Sequence, residues 1–249
     1  MKGKCLIVNG KGGVGKSVTS RELLAANMEN ATLYEFDAAN LSQKPYSSDE
    51  TFVVKCFDES KIDQMIVDDL MDHDKSVIID IGIENFSAVL QMFYDNSLYD
   101  FLDAIFIPLN PDCQDSAKNA IKMSRFLKSR TEKPIYFVLN KIDPTIAESE
   151  QFEYFLEKAK TNKVDVVGRT IPLPHCDLLA KAQAFSKTIK SLSTDQTNYR
   201  EKSLQARQSG DKEQSLEAIR LDLLCRGAKK YFNEKMMPAI TLLSNIFQE

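Results

Sequence analysis

Residues 10–17 read Gly-Lys-Gly-Gly-Val-Gly-Lys-Ser, four glycines and two lysines in eight positions closed by a hydroxyl. Glycine backbone can approach an anion without a Cβ in the way. Lysine adds a compact positive charge, and a serine hydroxyl is a ligand for a hard cation. Gly10, four residues, then Gly15, Lys16 and Ser17 complete the P-loop pattern. The flanks agree with it. Cys5 to Asn9 is an apolar run suited to a buried strand, and Val18 to Met28 has helical character. A strand feeding this loop into a helix aims backbone N–H groups at one spot beside the positive end of the helix dipole. A triphosphate suits that geometry. Gly12, Gly13, Val14, Gly15, Lys16, Ser17 and Val18 are the expected nucleotide-binding residues, with Lys16 on the β- and γ-phosphates and Ser17 on Mg²⁺.

Acids close two further apolar runs. Ser76-Val-Ile-Ile-Asp80 ends in a carboxylate placed to hold Mg²⁺, or else to cap the next segment. Leu33-Tyr-Glu-Phe-Asp37 carries Glu35 and Asp37 at alternate positions, so both side chains share one face of the strand.

The elements that must position these groups follow from periodicity. Apolar, β-branched runs at 4–9, 31–37, 51–57, 76–81, 103–109, 134–140 and 164–170 read as strands. Amphipathic stretches at 17–29, 60–73, 85–96, 114–130 and 147–161 read as helices between them. That alternation predicts an α/β fold: a doubly wound, mostly parallel sheet with helices on both faces. Ligands in such sheets sit at the carboxyl ends of the strands. The pattern turns helical beyond residue 176. Residues 191–214 are poor in apolar side chains and read as a loop or an exposed helix. The expected organisation is a nucleotide-binding core over 1–190 and a helical C-terminal extension, 191–249, packed on the same domain.

The 249 residues are 43% hydrophobic and 27% charged, an ordinary globular composition. Five scattered cysteines without a CxxC pair read as reduced thiols of a cytoplasmic protein. His73 and His175 have no ligand-spaced cysteines, so no metal beyond Mg²⁺ is expected. Residues 1–180 hold 20 Lys/Arg against 28 Asp/Glu, and residues 181–249 hold 12 against 8. The basic C-terminal part is either a solvated face or a surface for non-specific DNA. The tail, residues 231–247, is apolar at helical spacing, but residues 236–249 contain no Lys or Arg. It reads as a docked helix and not as a membrane anchor.

The double-lysine loop resembles the deviant Walker A motif of the ParA/MinD family of nucleotide-dependent positioning ATPases. Lys11 through Ser17 match its frequent form, Lys-Gly-Gly-Val-Gly-Lys-Ser/Thr, at every position. The resemblance covers about residues 1–190. It implies ATP with Mg²⁺ and a homodimer formed on nucleotide binding, in which Lys11 reaches the partner subunit's nucleotide. It also implies that Asp37 orients the attacking water and joins Ser17 and Asp80 around the metal. The catalytic residues it implies are therefore Lys11, Lys16 and Asp37. Two motifs depart from the family. Its Asp-x-Asp-Pro-Gln is Glu35-Phe36-Asp37-Ala38-Ala39 here, and the Thr-Pro-Pro after its second acid is Ile81-Gly82-Ile83, with Gly82 expected to be a flexible switch.

Base choice rests on residues 140–143, Asn-Lys-Ile-Asp. They look like the guanine-reading motif of GTPases, with Asn140 and Asp143 on the base. In the resembled family the same strand often ends in an asparagine that contacts adenine. The alternative reading of Asp143 is that it simply begins a turn before Pro144. Pro172, in Arg169-Thr-Ile-Pro-Leu-Pro174, resembles the family's proline loop beside adenine. ATP is preferred because the deviant loop is the more specific motif. The expected activity is a weak ATPase acting as a dimerisation switch in plasmid partition, DNA segregation or transfer, stimulated by a partner protein. The alternatives are a nucleotide-gated adaptor with negligible hydrolysis, and a GTPase.

Overall fold

Strands with apolar side chains on both faces need cover on both sides. The structure, a computed structural model, describes residues 1–36, 46, 52–57, 64–83, 86–111 and 113–248. Its strands are β1 (Lys4–Ile7), β2 (Ala31–Phe36), β3 (Phe52–Phe57), β4 (Ser76–Ile81), β5 (Ala104–Leu109), β6 (Ile135–Ile142) and β7 (Thr170–Pro174). They form one sheet in the order β3-β2-β4-β1-β5-β6-β7, parallel at every pairing. The chain leaves β1 for β2 and β3 on one side, returns to β4 beside β1, and crosses from there to β5, β6 and β7 on the other side. The loop after β1 therefore opens into the crevice where an α/β sheet binds its ligand.

The helices are α1 (Lys16–Val18), α2 (Gln64–Met71), α3 (Phe86–Asp95), α4 (Gln114–Lys128), α5 (Glu148–Gln151), α6 (Glu153–Thr161), α7 (Leu179–Ala184), α8 (Ile189–Thr194), α9 (Tyr199–Gln208), α10 (Lys212–Tyr231) and α11 (Met237–Ile246). Alternation along each strand divides the core in two. Leu6, Tyr34, Ile79, Ile105 and Phe137 face α2, α3, α4 and α6. Cys5, Leu33, Ile78, Phe106 and Val138 face the helical segment after the loop and α11.

Three sequence expectations are corrected. The strand expected at 164–170 is β7, starting at Thr170. Val164 and Val166 pack against the core, whereas Val167 is 87% exposed and Gly168 turns the chain at φ +66°. The helix expected at 17–29 is one α-turn, a π-helical Thr19–Leu24 and a 3₁₀ turn Ala25–Asn27. The helix expected at 147–161 breaks at Phe152, whose φ of −111° is not helical.

Of the two readings of residues 191–214, helix holds over most of the stretch, and the helix ends explain why. Thr188 and Ser191 form a reciprocal capping box on α8. Asn198 caps α9 by accepting from the Glu201 N–H at 3.2 Å, and Asp211 caps α10 by accepting from the Gln214 N–H at 2.9 Å. Between α8 and α9 sits Asp195. Burial alone would push its carboxyl up, but bonds from Thr197 N–H (2.9 Å), Tyr199 Oη (2.7 Å) and Lys187 Nζ (3.5 Å) outweigh this and hold it down at about 2.

The tail helix α11 lies on the sheet. Ala239 and Leu243 are fully buried, and Phe247 contacts Phe106 with ring centroids 6.3 Å apart. No helix among the described residues is long and apolar enough to cross a membrane.

Two outcomes are expected from these contacts. Leu243→Ala should cost about 2–4 kcal/mol in denaturant unfolding, because it empties a filled site; an unchanged midpoint would mean that α11 is not part of the core. The depressed Asp195 carboxyl stabilises the fold above its unfolded value of about 4, and that stability is lost as pH falls toward 2. Asp195→Asn should accordingly flatten the acid limb of a Tm-versus-pH curve between those values.

Candidate nucleotide-binding site

Loop conformation comes first. Gly13 (φ +71°) and Gly15 (φ +99°) occupy left-handed backbone that other residues rarely adopt. Gly15 carries a second constraint: a Cβ there would collide with the Asn140 side-chain amide. Thr19 N–H donates to the Gly15 carbonyl at 2.9 Å, so the helical segment starts directly from the loop.

Three asparagines fix the loop's polar backbone. Asn9 Oδ1 accepts from the Lys11 N–H at 3.0 Å, and Asn9 Nδ2 donates to the Pro108 carbonyl at 2.8 Å. Asn110, just past β5, donates Nδ2 to the Gly13 carbonyl at 2.8 Å. Asn140, in β6, donates to the Val14 carbonyl and to Asn110 Oδ1, both at 3.2 Å. A bulge at Lys141 (φ +60°) shifts the β6–β7 register beside Asn140. The Gly13 and Val14 carbonyls are thereby both engaged by side chains of the sheet. Asn9 and Asn110 were not singled out from sequence; the one available signal is that both follow apolar strands, where ligand-facing residues gather.

The loop borders a cleft of about 390 Å³, lined by Gly12, Gly13, Gly15, Lys16, Ser17, Val18, Glu35, Asp80, Ile83, Asn140 and Lys141. Of the expected loop residues Gly12, Gly13, Gly15, Lys16, Ser17 and Val18 thus meet Asp80 and Asn140 in one place, whereas the Val14 side chain is buried and does not line the cleft. Asp80 is 3% exposed and accepts from Ser20 Oγ at 2.7 Å. Glu35 pairs with Asp80 in the β2–β4 register, which brings both acids to one level of the sheet. Lys16 Nζ donates to the Asn9 and Lys11 carbonyls at 3.1 and 3.3 Å, a posture that a bound anion would compete with. Lys11 itself is exposed. Asp37 lies outside the described residues. Gly82, expected as a switch, donates its N–H to the Phe36 carbonyl at 2.7 Å and prolongs the sheet ladder.

At the base side the structure differs from expectation. A cavity of about 80 Å³ adjoins the cleft, lined among others by Val18, Glu22, Asn140, Pro174, Tyr231 and Met236. The proline on it is Pro174; Pro172 is two residues back in β7, paired with Leu139. Asp143 is exposed and lines neither space. Its carboxylate accepts from Thr145 Oγ1 (2.6 Å) and Thr145 N–H (2.8 Å), which lowers its pKa and occupies it in its own turn. Tyr231 Oη, from α10, donates to the Pro174 carbonyl at 2.5 Å. Glu22 joins this wall to the segment after the loop: it pairs with Arg21 at 2.8 Å and accepts from the Ile189 N–H at 2.8 Å.

A glycine loop between β1 and a helix, with an acid closing the neighbouring strand, defines a P-loop nucleotide-binding fold. Residues 5–189 match the CobQ/CobB/MinD/ParA nucleotide binding domain, and the chain belongs to that family. No curated protein matches the sequence. Among solved structures, the MinD cell division protein of Aquifex aeolicus is 13% identical, with a TM-score of 0.52 over 94% of this chain and 98% of that one. The Cyanothece McdA(D38A)–ATP complex is 12% identical, with a TM-score of 0.51 over 94% and 97%. At these identities the likeness is one of fold.

Gly15→Ala meets both an unfavourable φ and the Asn140 amide. We expect it to weaken ATP binding at least about tenfold while costing about 2 kcal/mol of stability. Calorimetry on the folded variant checks this; wild-type affinity would show that the loop tolerates a shifted Asn140.

Proposed function

We propose that the chain is an ATP-dependent dimerisation switch with weak, partner-stimulated ATPase activity, of the plasmid-partition or DNA-segregation type. The observation that carries this reading is the division of labour between the loop's lysines: Lys16 folded inward over the loop, Lys11 exposed at its rim. Family membership supports it, since the family's description names both ParA and MinD. ATP is the preferred nucleotide, because the acid that would read guanine is engaged with Thr145.

In the proposed reaction water attacks the γ-phosphorus, the bond to the β–γ bridging oxygen breaks, and ADP and phosphate leave. Lys16 holds the β- and γ-phosphates, and Lys11 of one subunit reaches the nucleotide of its partner. Asp37 is assigned the orientation of the water by resemblance. Mg²⁺ fits the donor set of the cleft, since the Ser17 hydroxyl and the Asp80 carboxylate are hard oxygen ligands on its wall. Bound there, it would neutralise charge on the phosphate oxygens. Asp37 is the further proposed ligand.

Light scattering on the purified chain tests the switch. Saturating ATP with Mg²⁺ should double the mass. Lys11→Ala should keep ATP affinity and stay monomeric, whereas Lys16→Ala should lose affinity about a hundredfold. Unchanged mass for the wild type with ATP bound would overturn the dimer reading. Phosphate release equal in wild type and Asp37→Ala, both at background, would favour the non-hydrolysing adaptor.

A further inference from the structure

We propose that the concave face between α4 and α6 is a docking groove for an acidic, amphipathic peptide segment of another protein. The groove encloses about 450 Å³ and lies apart from the nucleotide cleft. Its rim carries Lys118, Lys122, Arg125 and Lys158, and its floor Ile121 and Phe126; no carboxylate among the described residues lines it. Lys118, Lys122 and Arg125 are spaced i, i+4 and i+7 on α4, which puts them on one face over roughly 10 Å of helix. Lys158 stands across from them on α6.

The charge is not compensated locally. Among the described residues only Lys118 has a carboxylate partner, Asp115 at 3.4 Å, and that exposed pair is worth little. Arg125 donates to the neutral Asn162 side chain at 3.4 Å, and Lys158 sits 5.5 Å from the Tyr154 ring centroid. In a chain with more acids than bases, three cations without acids around one concavity call for negative charge from outside.

The floor decides which anion. Ile121 is 5% exposed, Phe126 is half-buried, and Arg130 stacks on the Phe126 ring at 4.6 Å. Nucleic-acid interfaces are more polar than protein ones, and a duplex backbone gains nothing from an apolar trough. A peptide with carboxylates at the rim and leucine-like side chains on the floor satisfies both halves. The helix that carries three of the rim cations, α4, also reaches the phosphate loop through other residues. Asn119, beside Lys118, lies 3.8 Å from where a Cβ on Gly10 would be, and Ser116 Oγ accepts from the Asn110 N–H at 3.2 Å.

Fluorescence anisotropy on the full chain tests this with three labelled probes: a peptide of about 15 residues with Leu at helical spacing among Glu, its Lys-for-Glu counterpart, and a mixed-sequence duplex of similar charge. The Glu peptide should bind in the micromolar range, weaken with salt, and lose at least about tenfold in the Lys122→Glu, Lys158→Glu double variant. Reversing two exposed lysines on α10, Lys212→Glu with Lys229→Glu, changes net charge equally and should leave binding intact. If the first pair unfolds the chain, Lys122→Ala with Lys158→Ala reads the same contact. The proposal falls if the Glu peptide does not bind at about 100 μM, or if both lysine pairs weaken it equally. It also falls if the duplex binds more tightly and is lost in the Lys122/Lys158 variant, which would make the groove a nucleic-acid surface.

Discussion

The site depends on a close approach between backbone and side chain: the Cα of Gly15 against the amide of Asn140. No side chain fits between them, so the loop presses on the end of β6 while Asn140 and Asn110 hold the Val14 and Gly13 carbonyls. The loop is then shaped by the sheet and not by its ligand. Donors fixed beforehand cost no reorganisation when charge arrives, which is the condition under which backbone amides stabilise an anion well. The same contact spends Asn140's amide hydrogens on Val14 and Asn110, so its side chain holds the loop whatever else it does toward a base.

A second consequence concerns the C-terminal helices. α11 fills the sheet face beside the helical segment that follows the loop, and α10 brings Tyr231 to Pro174. Glu22 links Arg21 on that segment to the first N–H of α8. A buried ion pair is a poor source of net stability, because desolvation offsets most of the attraction. Its clearer effect is positional: it ties the first turn of α8 to the segment that begins at the phosphate loop. The π-helical stretch holding Glu22 and Arg21 belongs to a class of irregularity common near functional sites.

What could be read from sequence divides along the range of the interactions. The P-loop, the strands through β6 and the inward-facing Asp80 are local patterns of residue type and period, and they could be read directly. The asparagine contacts could not, since Asn110 meets Gly13 across 97 positions and Asn140 meets Val14 across 126. β7 was misplaced because Val164-Asp-Val-Val167 has a strand's composition, while the choice between strand and turn was made by Gly168 and by pairing with β6. Over residues 191–214 polarity left loop and exposed helix undecided. There the helices begin at Thr188, Asn198 and Asp211, short side chains whose composition suits loops equally well.

The charges of the cleft bear on why two lysines share one loop. Glu35 and Asp80 are nearly fully buried on its wall, and Lys16 is the one loop lysine among its lining residues. A triphosphate entering this space adds more negative charge than Lys16 can cancel, and one divalent ion offsets only part of the remainder. Lys11 is close in sequence but exposed, with its backbone N–H held by Asn9. Its tethered backbone and free-standing stem suit it better to an anion outside its own loop than to the one inside. On the reading proposed above, a second copy facing the cleft would bring its own Lys11 to the phosphates. Nucleotide and dimer would then stabilise each other by the same charge, and loss of the γ-phosphate would weaken both together.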